Sequence, residues 1–249
     1  MKNKIIIISL FIIISSAIYL FMTHHYIYER LSDAGLKSPD LRGEYMIGRS
    51  ENNGTKLIYA ALGDSLTAGV GVSNYEDSFP YQFAKKMSGN SNNQIILRNR
   101  AYPGARTGHL IKDLLPSAIN DRPDVVTLLI GVNDIHGNVS KKVFSENYAE
   151  ILRRLKTKTK ATIIAISIPF IGTDSLLFPP YDLYFKYETI EYNKIIKKLA
   201  QESNVKYVDL FTPTERMFEN SAFYSADLFH PSARGYELWS DIIYAGYDK

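Results

Sequence analysis

The sequence predicts an α/β domain in which five parallel strands form one sheet with helices on both faces. Three observations carry this. Five short apolar runs, four of them rich in β-branched residues, recur between positions 57 and 210. Segments with helical spacing lie between and after them. A length of 249 residues suits one domain of ordinary size with an appendage. Parallel strands need crossover connections, and helices supply these while covering both sheet faces.

Taken in chain order, the first element is a membrane segment. Ile5 to Met22 is eighteen residues without a charge, broken only by three serines. As a helix it would extend ~27 Å, close to the ~30 Å hydrocarbon thickness of a bilayer. Lys2 and Lys4 place its short N-terminal side in the cytoplasm and the rest of the chain outside. An uncleaved anchor spanning residues 1–22 is the favoured reading, because apolar residues continue past Ser15 and Ala17 and no small-residue cleavage site follows Met22. The alternative is a cleaved signal peptide and a secreted protein. Residues 23–55 read as a linker, rich in turn-formers such as Asp33-Ala34-Gly35, Ser38-Pro39-Asp40 and Arg49 to Thr55.

The folded body is expected over residues 56–249. Its strands are Leu57 to Leu62, Ile95 to Leu97, Val125 to Ile130, Thr162 to Ile168 and Val205 to Leu210. Helical spacing relates Phe144, Tyr148, Ile151, Leu152 and Leu155, then Tyr192, Ile195, Ile196 and Leu199, then Leu238, Trp239, Ile242 and Ile243. Lys2 and Lys4 aside, 27 basic residues face 26 acidic ones, so nothing marks a nucleic-acid partner. The absence of cysteine excludes a thiol nucleophile, a disulfide scaffold and a Cys-ligated metal.

A parallel sheet places its ligand crevice at the carboxyl ends of its strands. Polar clusters stand there: Gly63-Asp64-Ser65-Leu66 after the first strand, Tyr102-Pro103-Gly104 after the second and Gly131-Val132-Asn133-Asp134 after the third. Asp227-Leu228-Phe229-His230-Pro231 precedes the last helix. Ester cleavage needs a hydroxyl nucleophile, a base titrating near neutrality, a carboxylate to orient that base, and donors facing the developing oxyanion. Ser65 lies at a strand-to-helix turn, Asp227 and His230 are one turn apart, Gly104 offers an unobstructed N–H and Asn133 an amide.

With these four blocks in this order, the chain resembles the GDSL or SGNH hydrolase family over residues 56–249. The second block, Arg100 to Gly104, departs most from the family pattern. The resemblance implies a flavodoxin-like three-layer α/β/α fold. It also implies a carboxylic ester hydrolase with Ser65 as nucleophile, His230 as general base and acid and Asp227 as its orienting partner. Ser65 and Gly104 N–H groups with the Asn133 side chain would form the oxyanion hole. An acyl-enzyme intermediate is implied, with no metal and no organic cofactor.

Several residues keep a second reading. Asp64 suits a helix cap and Asp134 a structural bond. His24 and His25 look interfacial, and His109 falls in a helical stretch. His136 lines a pocket or closes a loop; Arg106 meets an acidic substrate group or stays on the surface. The segment Pro169 to Tyr187 is long and greasy for a connection, and Phe178, Tyr181 and Tyr184 are its candidate substrate contacts. It walls an acyl pocket as a lid, or packs on the domain or dips into the bilayer. The function expected is a membrane-anchored, extracytoplasmic serine esterase or lipase acting on lipid-like acyl esters. O-acetyl removal from cell-surface glycans is the second reading, and a non-catalytic glycan- or lipid-binding module the third.

Overall fold

A computed structural model describes residues 2–33, 44–48, 55–91, 93–170 and 172–248. Its single sheet has six strands: β1 (Glu44–Ile47), β2 (Lys56–Gly63), β3 (Gln94–Ala101), β4 (Val125–Leu129), β5 (Thr162–Ile166) and β6 (Lys206–Val208), in the order β1-β3-β2-β4-β5-β6. The five expected strands are β2 to β6, all parallel. The sheet is therefore mixed rather than all-parallel: β1, inside the stretch read as linker, adds an antiparallel edge to β3 with Glu44 opposite Arg98. Arg98 fixes it by donating to Glu44 Oε2 from Nε at 3.0 Å and Nη2 at 2.8 Å. β1 escapes a sequence reading because only Ile47 of its four residues is buried, and its partner lies some fifty residues away.

The seven helices that matter to the site are α1 (Lys2–Asp33), α2 (Ser65–Ala68), α3 (Phe79–Ser91), α4 (Val132–His136), α5 (Lys141–Lys158), α6 (Tyr181–Glu202) and α7 (Ala233–Tyr247). α3 packs on α7 to form one outer layer, with Phe79 against Tyr236 and Trp239. α5, α6 and the helical stretch from Thr107 to Asn120 form the other. α5 shows why a helix forms where the spacing placed it. Phe144, Tyr148, Ile151, Leu152 and Leu155 are all buried on one face. Ser140 caps its start by accepting from Val143 N–H, and Lys156 and Lys158 complement the dipole at its end. Central β4 is buried at all five positions, as a strand covered on both faces must be.

Two helix boundaries differ from expectation. α1 continues past Met22 to Asp33, and α6 begins at Tyr181, inside the segment read as a loop to Tyr187. The remaining linker residues, 34–43 and 49–54, lie outside the described residues.

The topology fixes where the site must be. β2 sits between β3 and β4, so the chain order reverses at β2, and ligand crevices open at such a switch point. Gly63 at the end of β2 is level with Ala101 of β3 and Leu129 of β4. The Ser65, Gly104 and Asn133 blocks therefore leave the sheet at one rim.

Candidate active site

Ser65 is the first residue of α2, and Asp64 caps that helix by accepting from Leu66 N–H at 3.0 Å. The Ser65 N–H has no acceptor within its own helix, as expected at a first position. Opposite it, the Nε2 of His230 lies 2.9 Å from Ser65 Oγ. The Nδ1 of the same ring lies 2.5 Å from Asp227 Oδ2. The structure thus brings together three groups spread over more than 160 residues.

The turn carrying Asp227 and His230 is built tightly. Asp227 Oδ1 accepts from Ser225 Oγ at 2.7 Å and from the N–H groups of Phe229 and His230, each at 2.9 Å. Leu228 takes a left-handed φ of 62° to close it, and Ser225 N–H donates to His230 C=O at 2.8 Å. Burial pushes the Asp227 carboxyl up in pKa. The hydrogen bond from His230, its charge, and the Phe229 and Ser225 donors outweigh burial, so the pKa lies below the usual carboxylate value. An ionised Asp227 holds the imidazole proton on Nδ1 and leaves Nε2 free to accept from the Ser65 hydroxyl.

Gly71, just past α2, bears on the same turn from below. It has φ +107°, and a Cβ there would stand 2.4 Å from Pro231 O and 3.1 Å from His230 Cβ. Only glycine permits this approach.

The three oxyanion candidates are less uniform. Gly104 has φ +80° in an exposed turn, with open space around its Cα. Asn133, on the first turn of α4, points Nδ2 at Ala105 O (3.2 Å) and Asp64 Oδ2 (3.3 Å). Both are long, so a developing oxyanion competes with weak partners for this amide. Asp64 is fully buried, and burial pushes its pKa up to about 7 against the opposing Leu66 and Asn133 donors. Asp134 accepts from Thr107 N–H at 3.0 Å and Thr107 Oγ1 at 2.6 Å, which ties α4 to the loop after Gly104. No group of three acidic or histidine side chains among the described residues would hold a metal.

An apolar cavity of about 170 Å³ lies beside this constellation, lined on the domain side by His136, Leu176, Leu177, Tyr181, Phe185 and Phe229. Phe229 links the two, because its ring centroid is 5.0 Å from that of His230 and 5.6 Å from that of His136. Among the described residues, two larger cavities are also found. One, of about 400 Å³, is lined by Tyr102, Ala105, His109, Asp113 and Leu114 next to Gly104. The other, of about 360 Å³ and lined by Phe170, Leu183 and Lys186 among others, shares no residue with the Ser65 constellation.

Comparison with known proteins gives this rim a family. The model of the GDSL-like Lipase/Acylhydrolase family matches residues 61–238. The chain belongs to that family. It is a carboxylic ester hydrolase. It is 27% identical to the spore germination lipase LipC of Bacillus licheniformis, over 78% of this chain and 98% of LipC. It is 25% identical to an acetylxylan esterase of Geobacillus stearothermophilus, over 53% of this chain and 64% of that one. The fold is similar to the crystal structures of the acetylxylan esterase Axe2 from Geobacillus stearothermophilus and of a lipase/acylhydrolase from Enterococcus faecalis. Axe2 gives a TM-score of 0.60 at 18% identity over 78% of this chain and 93% of Axe2. The Enterococcus protein gives 0.59 at 22% over 76% of this chain and 94% of that one.

Of the five candidate substrate contacts, His136 and Tyr181 line the apolar cavity of this hydrolase and the other three do not. Phe178 packs its ring 5.8 Å from Tyr26 of α1. Tyr184 is exposed, its hydroxyl 3.4 Å from Asn138 Oδ1. Arg106 lies over Gly137, where a Cβ would meet its guanidinium at 2.2 Å. Sequence reasoning misses the pocket roles of Phe229, Ile27 and Leu31, the last two of which line the cavity with His24. The signal for the helical trio was its i, i+3, i+7 spacing, hidden by ending the helix at Met22.

Proposed function

We propose that this hydrolase cleaves lipid-like acyl esters by a Ser65-His230-Asp227 mechanism outside the cell membrane. The observation that supports it most is the continuous hydrogen-bonded line from Asp227 through His230 to Ser65 Oγ, at 2.5 and 2.9 Å. His230 Nε2 takes the Ser65 proton as Oγ attacks the ester carbonyl. The carbonyl oxygen becomes negative opposite the N–H groups of Ser65 and Gly104 and the Asn133 amide. His230 returns the proton to the departing alkoxide, which leaves as the alcohol, and the acyl group stays on Ser65. Water, deprotonated by the same imidazole, releases the carboxylic acid and restores Ser65. Asp227 stays ionised throughout and stabilises the imidazolium.

Residues 1–22 anchor the protein with Lys2 and Lys4 in the cytoplasm, and the edge strand β1 together with residues 56–249 forms the catalytic domain. The supporting observation is that α1 has the length and hydropathy of a membrane span, with mean hydropathy 2.7 in its most apolar window. Intact mass of membrane-fraction protein tests the anchor; loss of roughly 17–25 N-terminal residues would establish a cleaved signal instead.

A second reading is O-deacetylation of glycans. The roughly 400 Å³ cavity beside Ala105 favours it, since Tyr102 is an exposed ring at its edge that a sugar would stack on. The likeness to an acetylxylan esterase points the same way. Rates on acetyl, octanoyl and palmitoyl esters of one alcohol, beside acetate release from acetylated polysaccharide, separate the readings. Lipid-like specificity predicts octanoyl above acetyl by at least tenfold in kcat/KM. The reverse order with acetate release from polymer would establish the glycan reading.

A further inference from the structure

α1 is docked on the domain rather than leaving it. Tyr19 Oη donates to Pro179 O at 2.8 Å, and Tyr26 Oη donates to Ser175 O at 3.1 Å. Tyr19 and Tyr26 are seven apart and so share a face of the helix, and Thr23 between them is buried. Further along, His24, Ile27 and Leu31 form a stripe that lines the apolar cavity together with Phe229. A helix serving only as a tether needs neither contact.

We propose that the outer end of α1 is a specificity wall of the hydrolase, so that the hydrocarbon tail of the bound ester lies between the catalytic domain and its own membrane helix. This rests on the reading that Ser65 attacks hydrocarbon acyl esters. Phe229 lines the cavity and packs its ring 5.0 Å from that of His230, which bonds Ser65 Oγ at 2.9 Å, so the cavity adjoins the position an acyl group on Ser65 would occupy. About 170 Å³ resembles the volume of an engineered apolar cavity that takes a benzene-sized guest, so the first several methylenes fit inside. Later methylenes emerge along the apolar body of α1, the direction from which a bilayer would deliver them. Ile27 therefore sets chain-length preference although it precedes the family-matched region by more than thirty residues.

The test uses the full chain in detergent micelles. Turnover of p-nitrophenyl acetate, octanoate and palmitate is expressed per active site, counted by fluorophosphonate labelling. Ile27→Trp fills the cavity and should lower the octanoyl-to-acetyl ratio of kcat/KM by ~10-fold or more, the size of effect a few methylenes have in a hydrophobic pocket. Ile27→Ala enlarges it and should move the preference toward longer chains, which keeps the proposal testable if the tryptophan variant folds poorly. A ratio and chain-length optimum unmoved in both variants overturns it. Unmutated protein that is not labelled at all overturns the Ser65 reading instead, so the two failures are distinguishable.

Discussion

Asp227 accepts four hydrogen bonds, three of them on the oxygen that does not face the imidazole. That asymmetry gives a sharp residue-scale prediction. In Asp227→Asn the three donors to Oδ1 hold the amide with its NH₂ toward His230 Nδ1. The imidazole proton then moves to Nε2, which no longer accepts from Ser65. We expect kcat for an activated ester to fall roughly 10³–10⁴-fold with the fold intact. Asn133→Ala should lower kcat ~10²–10³-fold and leave KM close to its original value, as loss of one oxyanion donor does. A change confined to KM would assign Asn133 to ground-state binding. Asp64 makes a pH prediction. With a folded pKa of about 7 against 3.8, the native protein keeps a proton between pH 4 and 7 that the unfolded chain has released. Stability from this group is greatest below pH 4 and is lost as pH rises through 7, by a few kcal/mol at most. Asp64→Asn should change the difference in Tm between pH 4.5 and 7 in the direction of lower relative stability at acid pH; an unchanged difference contradicts the shift.

Elements carry the next layer. The turn bearing His230 is seated on Gly71, whose missing Cβ leaves room for Pro231 O. Gly71→Ala should cost ~1–3 kcal/mol of stability from strained backbone and displace His230 from Ser65. Thermal denaturation and ester turnover measure the two effects, and normal turnover at reduced Tm would show that the turn adjusts. The strands β2 to β6 and the helix α5 were legible in the sequence because burial on both faces leaves continuous apolar runs, and burial on one face leaves helical spacing. β1 was not, since an edge strand of four residues with one buried side chain has no pattern to show. The start of α6 was hidden for another reason: Leu183, Tyr184 and Tyr187 in its first turns are exposed, which breaks the spacing that identifies a one-faced helix.

Across the whole molecule, the motif blocks were readable because parallel topology sends every strand end to one rim, so sequence order alone predicts that Ser65, Gly104 and Asn133 converge. The cavity was not readable. Its walls come from residues 24–31, 136, 176–185 and 229, a juxtaposition that follows from how α1 docks and not from any local signal. Fold and candidate chemistry are thus properties of the α/β body, while candidate specificity is shared between that body and the helix beside it.

Covalent capture decides whether His230 makes the Ser65 hydroxyl nucleophilic. Full-length protein treated with a fluorophosphonate at pH 8 should gain one adduct by intact mass, mapped by peptide sequencing to Ser65. Labelling should be absent in Ser65→Ala and strongly slowed in His230→Ala. Folded wild-type protein that takes no label, or a Ser65→Ala variant that labels at the wild-type rate, would show that Ser65 is not the activated hydroxyl.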